Sequence, residues 1–258
     1  MSDKATDSPV KTVESVDNAA GLADKTSSGT TQGKNDDLLA AFYPSMKPES
    51  AKEASDDDLL NSVQIKVQES LAAKQQFFSD YGDILVQISR TIADAYKAGG
   101  RLLTVGNGGS SCDAAHLALE FLHPVTAGRQ ALPALNLTSD VSTITAVAND
   151  VGYKHVFVRQ LLAQVMPNDV LVIFSTSGNS DNLMALNQKA FELGIQTVGF
   201  LGLDGGELHK SGKLTHSLVV ECDSVHRIQE SHLVAYHILW DLVHTLLANH
   251  RVAREITF

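Results

Sequence analysis

The stretch Leu102-Leu-Thr-Val-Gly-Asn-Gly-Gly-Ser-Ser-Cys-Asp-Ala-Ala-His-Leu-Ala-Leu-Glu120 constrains the chain most. A short apolar run suited to a strand breaks at Gly106-Asn107-Gly108-Gly109-Ser110 and continues as a helix. A strand-turn-helix of this kind aims backbone N–H groups and the positive end of a helix at one point, which suits an anion such as phosphate. His116 and Glu120 then follow four residues apart, adjacent on one helix face. Leu117, Ala118, Leu119 and Phe121 surround them, and an ionisable pair in so apolar a setting needs a reason.

The rest of the text alternates strand-like and helix-like pieces around this unit. Strands are expected at Leu102–Val105, Leu132–Leu137, Asp169–Phe174, Gln196–Phe200 and Ser217–Glu221. Helices are expected at Ser110–Phe121, Val141–Val147, Val156–Val165, Ser177–Leu193 and Ile228–Ala248. Strands alternating with helices build right-handed βαβ units and an α/β doubly wound parallel sheet, whose ligands bind beyond the carboxyl ends of the strands. Ahead of the first strand, Leu59, Val63, Val67 and Leu71 repeat at helical spacing, and Ile84, Ile88, Ile92 and Tyr96 do so again over Tyr81–Ala98. Two helices, a hairpin, are therefore expected there, covering the sheet or equivalent helices of another copy. Residues 1–53 are rich in Ser, Thr, Asp, Lys and Gly and read as a disordered tail, leaving 54–258 as the folded unit.

Charge and cysteine usage narrow the function classes. A net charge of -10 argues against nucleic acid and anionic membrane as partners, because both require a basic surface. No run approaches the roughly 20 apolar residues of a spanning helix, and Met1-Ser-Asp-Lys-Ala-Thr-Asp is no signal peptide. Two cysteines, Cys112 and Cys222, do not make a disulfide framework, which fits a cytoplasmic setting. Cys112 has no general base tied to it by spacing.

A second turn, Ser175-Thr176-Ser177-Gly178-Asn179-Ser180, follows the third strand and places four hydroxyls at a helix start. Neither turn has dinucleotide-fingerprint or P-loop spacing. Each alone reads equally well as an ordinary capped βα turn; both in one sheet suggest a clamp. Asn149-Asp150 ends a helix beside the same surface, equally as a cap or as a substrate contact. In the last helix, Gln229 and His237 are eight residues apart, roughly 12 Å along a straight helix, so spacing alone leaves open how one small ion could take both.

These blocks resemble the sugar isomerase (SIS) domain, and within it the phosphoheptose (sedoheptulose-7-phosphate) isomerases. The resemblance spans about Ala54 to Ala248. It rests on Val105-Gly-Asn-Gly-Gly-Ser110, Cys112-Asp-Ala with His116 and Glu120, Asn149-Asp150, Ser175–Ser180, Asp204-Gly-Gly206, and Arg227-Ile-Gln-Glu230 with His237. It implies a three-layer αβα sandwich on a five-stranded parallel sheet and a homotetramer with active sites at subunit interfaces. It also implies a sugar phosphate held by Asn107, Gly108, Gly109, Ser110, Asn149, Asp150, Ser175, Thr176, Ser177, Ser180 and Gln229. His116, Glu120, Gln229 and His237 would bind one zinc per subunit, and Glu120 and His237 would also transfer protons in converting sedoheptulose 7-phosphate to D-glycero-D-manno-heptose 7-phosphate through an enediolate. The run Phe121–Arg129 departs from the family, which continues after the glutamate with a second acid and a Gly-Arg pair. The alternatives are a non-catalytic SIS scaffold of the kind that associates with a replication initiator, and a sugar-phosphate-sensing regulator. Retention of Gly109, Ser177 and His237 favours catalysis.

Overall fold

The computed structural model describes residues 54–250. The tail expected over residues 1–53 and the last residues of the expected folded unit, 251–258, lie outside them.

Helix α1 (Asp56–Lys97) opens on a capping box, in which the Ser55 hydroxyl accepts from the Asp58 N–H and the Asp58 carboxylate from the Ser55 N–H. The expected helical hairpin is one continuous 42-residue helix, about 63 Å long at 1.5 Å per residue. Between the two apolar stripes runs Ala72-Ala-Lys-Gln-Gln-Phe-Phe-Ser-Asp80, which contains no proline and no glycine, so nothing turns the chain. Gly82 is tolerated within the helix. The stop comes at Gly99 (φ 82°) and Gly100, where a Cβ would lie 2.0 Å from the Asn168 carbonyl.

Strand β1 (Leu102–Gly106), helix α2 (Gly109–Leu122), strand β2 (Ala134–Asn136), helix α3 (Val141–Asp150), a 3₁₀ turn (Tyr153–His155) and helix α4 (Val156–Gln164) follow. Strand β3 (Val170–Ser175), helix α5 (Asp181–Glu192), strand β4 (Gln196–Gly202), short helix α6 (Gly206–Lys210), strand β5 (His216–Val220) and helix α7 (Val225–Leu246) complete the chain. All strand pairs are parallel, in the order β2-β1-β3-β4-β5. The five strands and the long flanking helices are those expected; the short helix α6 and the 3₁₀ turn were not foreseen.

Alternate residues of the strands feed two cores. Leu102, Val172, Phe174, Phe200 and Leu218 face α1, α2 and α7. Leu103, Val105, Leu171, Ile173 and Leu201 face α4 and α5. Both faces are apolar because both are covered, as a parallel sheet requires. At the opposite end from the site, the buried Asp169 carboxylate accepts from the Arg101 N–H at 2.8 Å, its guanidinium at 2.8 Å and the Met166 N–H at 2.9 Å. The order reverses direction between β1 and β3, so the crevice of the doubly wound sheet opens between the turns that follow these two strands.

Candidate active site

The first turn occupies that crevice. Gly108 is the N-cap of α2 with φ 52° and ψ −126°, a conformation reserved for glycine, and no side chain caps the helix. The first amides of α2 are thus open to an outside acceptor. Ser110 is buried beneath them.

The second turn is built from hydroxyls that first hold the loop itself. Ser175 Oγ accepts from Gly178 N–H at 3.0 Å, and Ser177 Oγ from Asn179 N–H at 3.3 Å. Their own protons, and the hydroxyls of Thr176 and Ser180, are left to donate; Ser180 is the N-cap of α5 but makes no side-chain cap bond. The Asp204-Gly-Gly206 block is the buttress of this turn. A Cβ on Gly206 would lie 2.3 Å from the Ser177 carbonyl, and one on Gly178 2.0 Å from the Gly205 carbonyl, so only glycines allow this close approach. Leu208 N–H donates to the Gly178 carbonyl and Glu207 N–H to Asn179 Oδ1, both at 2.9 Å.

Asn149 and Asp150 end α3 in exposed positions, with Asn149 Nδ2 donating to Asp150 Oδ1 at 2.8 Å. The Asn107 side chain makes contacts to two other segments. Its amide pairs reciprocally with that of Asn182, at 2.9 and 3.0 Å, and its Oδ1 also accepts from the Tyr153 hydroxyl at 3.2 Å. The side chain of Asn107 is therefore engaged by Asn182 and Tyr153.

Helices α2 and α7 lie side by side in parallel, in a constant register of 120 residues. The Gln229 amide lies over Gly109, whose absent Cβ would meet Gln229 Nε2 at 2.3 Å. His116 Nδ1 lies 2.7 Å from the Tyr236 hydroxyl, and the Trp240 indole donates to the Glu120 carbonyl at 2.8 Å. This register brings His116, Glu120 and His237 together: His116 Nε2 is 3.1 Å from Glu120 Oε1, and the three ligand atoms lie within 4.8 Å of one another. Two imidazoles and a carboxylate at that spacing are donors of the kind zinc takes. Gln229 is not brought to them by the chain's own fold, because it faces Gly109, seven residues and roughly 10 Å of helix before His116.

Burial and mutual charge shift several groups at the same place. Burial holds the His237 imidazole below the ordinary histidine range, and the neighbouring His116 adds to the effect while Glu120 opposes it. Burial also lifts the Asp113 carboxyl to about 6, with His116 pulling the other way, and Asp113 Oδ2 is buried without a partner among the described residues. Burial first, then the charges of Asp113 and Glu120, push the Tyr236 phenol far up, so it stays protonated. The remaining residues of the Arg227–Glu230 block serve the frame. Arg227 donates to the Lys66 carbonyl of α1 at 2.6 Å and pairs with Glu230, which also takes Lys74 of α1 at 3.3 Å. Ile228 fills the space left by Gly202.

Asp113, Tyr236, Asn182 and Tyr153 were not among the residues expected. Asp113 is three residues before His116, a same-face spacing that marks it; the other three join the site through tertiary contacts with no signature in spacing. A groove of about 410 Å³ along the outer face of α5, lined by Lys154, Gln188, Glu207 and Lys213 among others, contains none of the expected site residues.

Fold and site together define a protein of the SIS-domain class, with two anion-type turns at a sheet crossover. The SIS-domain family model matches residues 67–202. The phosphoheptose isomerase of Clostridium acetobutylicum is 39% identical over 194 residues, which are 74% of this chain and 98% of that protein. The solved phosphoheptose isomerase of Neisseria gonorrhoeae is 33% identical with a TM-score of 0.67, covering 72% of this chain and 99% of that one. The solved phosphoheptose isomerase of Francisella tularensis is 30% identical with a TM-score of 0.69, covering 72% and 98%. The chain belongs to the SIS-domain family and, within it, to the phosphoheptose isomerases, enzymes that isomerise sugar phosphates.

Proposed function

We propose that the protein interconverts sedoheptulose 7-phosphate and D-glycero-D-manno-heptose 7-phosphate through an enediolate. The observation that carries this reading is the cluster of His116 and Glu120, on the helix whose first turn is the glycine cradle, with His237 of α7. A scaffold or a sensor has no use for such a set beside an anion site.

The phosphate would take the open amides of Gly108, Gly109 and Ser110 and the hydroxyls of Ser175, Thr176, Ser177 and Ser180. With Asn149, Asp150 and Gln229 along the sugar, these contacts hold the far end of the chain and orient the carbonyl carbon. Glu120 and His237 act as the acid/base pair: one removes the proton from C1 and the other delivers one to C2, while the C1 hydroxyl proton passes to the C2 oxygen as the carbonyl moves from C2 to C1. His237, held neutral at neutral pH, is able to accept a proton. His116, Glu120 and His237 would hold zinc, with Gln229 supplied by another copy. Zinc, when bound, contributes a Lewis acid that stabilises negative charge developing on the sugar oxygens.

A homotetramer is part of the proposal. The first half of α1 carries Leu59, Val63, Val67 and Leu71, each between 50 and 57% exposed. Leu119, Leu122, Leu233 and Ile238 are likewise exposed on α2 and α7 around His237. Apolar surfaces of this kind mark contact with other chains, and copies meeting there would close the site. A cytoplasmic location fits the reduced cysteines and the absence, among the described residues, of any helix long and apolar enough to cross a membrane.

Incubating the purified protein with sedoheptulose 7-phosphate, with and without a chelator, tests the proposal. Aldose product that falls on chelation and returns with zinc is the expected result. No turnover by folded protein that still binds the sugar phosphate would overturn it.

A further inference from the structure

Three segments of the carboxyl edge, the turn after β1, the 3₁₀ turn after α3 and the first turn of α5, meet at one atom, Asn107 Oδ1. Asn107 belongs to the first turn, Asn182 to the first turn of α5 directly after the serine turn, and Tyr153 to the 3₁₀ turn three residues beyond Asp150. Asn182 Nδ2 donates to Asn107 Oδ1 at 3.0 Å, Asn107 Nδ2 returns a bond to Asn182 Oδ1 at 2.9 Å, and the Tyr153 hydroxyl donates to Asn107 Oδ1 at 3.2 Å. Asn182 is 2% exposed, and its Oδ1 also accepts from the Leu183 N–H at 2.9 Å, which fixes the orientation of its amide. A shift or rotation of one turn against the other would break two bonds in a partly buried place, and one partner, Asn182, is itself buried.

We propose that Asn182, with Tyr153, is a positioning residue for substrate binding. It staples the glycine turn to the serine turn and to the Asn149-Asp150 loop, so that their donors converge on one phosphate. The inference rests on the sugar-phosphate reading above. Asn182 reaches the ligand only through Asn107, being buried behind it. Without the staple each turn keeps its own hydrogen bonds, because those of Ser175 and Ser177 and the Gly205-Gly206 buttress do not involve Asn182. What is lost is their mutual alignment, which is a property of binding and not of the proton-transfer cluster on α2 and α7.

The test compares Asn182→Ala, Tyr153→Phe and the double variant with wild type, by calorimetric titration of inorganic phosphate and by KM and kcat for sedoheptulose 7-phosphate. Asn182→Ala is expected to weaken phosphate binding and raise KM about tenfold, and Tyr153→Phe about threefold, with kcat within about twofold of wild type. The double variant is expected to be no weaker than Asn182→Ala, since both act through one atom. Unchanged phosphate affinity and KM in folded Asn182→Ala, with only a lower melting temperature, would overturn the proposal, and so would a fall in kcat at unchanged KM. If Asn182→Ala does not fold, Tyr153→Phe decides by itself, because its exposed hydroxyl carries no core packing. The phosphate titration reads the staple even if wild type fails to turn over the heptose, so failure of the isomerase reading is seen separately.

Discussion

The Tyr236 hydroxyl lies 2.7 Å from Nδ1 of His116, while Nε2 of the same ring lies 3.1 Å from Glu120 Oε1. With Nδ1–H donating to Tyr236, Nε2 is left as a lone-pair donor aimed at the space shared with Glu120 and His237. Partners that fix a ligand's tautomer typically contribute roughly 10–100-fold to metal affinity. Tyr236→Phe keeps the buried ring and removes only this bond. Zinc affinity, measured by competition with a chromogenic chelator, is expected to fall by about that factor, with activity largely restored at saturating zinc.

In the proposed mechanism the acid/base pair and the metal ligands overlap at Glu120 and His237 but not at His116, and the difference separates the two roles. Glu120→Gln and His237→Ala are expected to reduce kcat by about a thousandfold or more, within the range of general acid–base loss combined with a lost ligand, while inorganic phosphate still binds. His116→Ala is expected to lose zinc affinity yet recover part of its activity in excess zinc. Recovery of Glu120→Gln by zinc would show that the carboxylate serves only as a ligand.

Much of this arrangement was readable from residue order, and the reasons are local. Asp169-Val-Leu-Val-Ile-Phe174 is apolar on both faces, so it had to be an inner parallel strand, and two glycine- or serine-rich turns after strands had to share the carboxyl edge. Helical spacing put His116 beside Glu120. The 120-residue register between α2 and α7 is a tertiary fact, so the joining of His237 to that pair and the seating of Gln229 on Gly109 lay beyond spacing arguments. The same holds for Asn107, whose side chain faces Asn182, 75 residues away. The two apolar stripes of α1 read as two helices because amphipathic period carries no information about continuity, which here follows from the lack of a breaker between them.

Gly109→Ala tests the seat of Gln229. The added Cβ would meet the end of a flexible side chain, at 2.3 Å from Nε2 and 3.3 Å from Cδ, so Gln229 would be displaced while the backbone stayed in place. Stability is expected to change by less than about 1 kcal/mol. KM for the sugar phosphate is expected to rise about tenfold, equivalent to about 1.4 kcal/mol of binding. Steady-state kinetics beside a denaturation curve check both halves.

The exposed stripe of α1 gives a prediction about assembly. Val63→Asp with Val67→Asp places two carboxylates on a surface proposed to be buried between copies, one turn apart on a helix that is otherwise solvent-exposed here. Light scattering is expected to show a smaller species than wild type with unchanged helical circular dichroism. Activity is expected to fall with it, because Gln229 would no longer reach the cluster of another copy. A variant that keeps both its mass and its activity would remove α1 from the interface.

His232 gives the pH dependence of stability. It is fully buried on α7 against Phe174 and Phe200, with Nε2 3.0 Å from the Leu201 carbonyl and Nδ1 without a partner among the described residues. Burial pulls its imidazole from 6.5 down to about 4, the hydrogen bond to Leu201 opposing only in part. Between these values the unfolded chain binds a proton that the folded chain refuses, so the contribution to stability is complete above pH 6.5, declines as the pH falls and levels off below about 4. At about 1.4 kcal/mol per unit, the loss across this window is about 3 kcal/mol. His244, also drawn down to about 4 by burial and by Arg129, adds a loss of the same sign. His232→Asn should therefore lower stability at pH 7.5, through imperfect packing, and flatten its decline toward pH 4. Urea midpoints of wild type and variant at pH 7.5, 6, 5 and 4 measure the two slopes, and parallel slopes would mean that His232 does not titrate in this window.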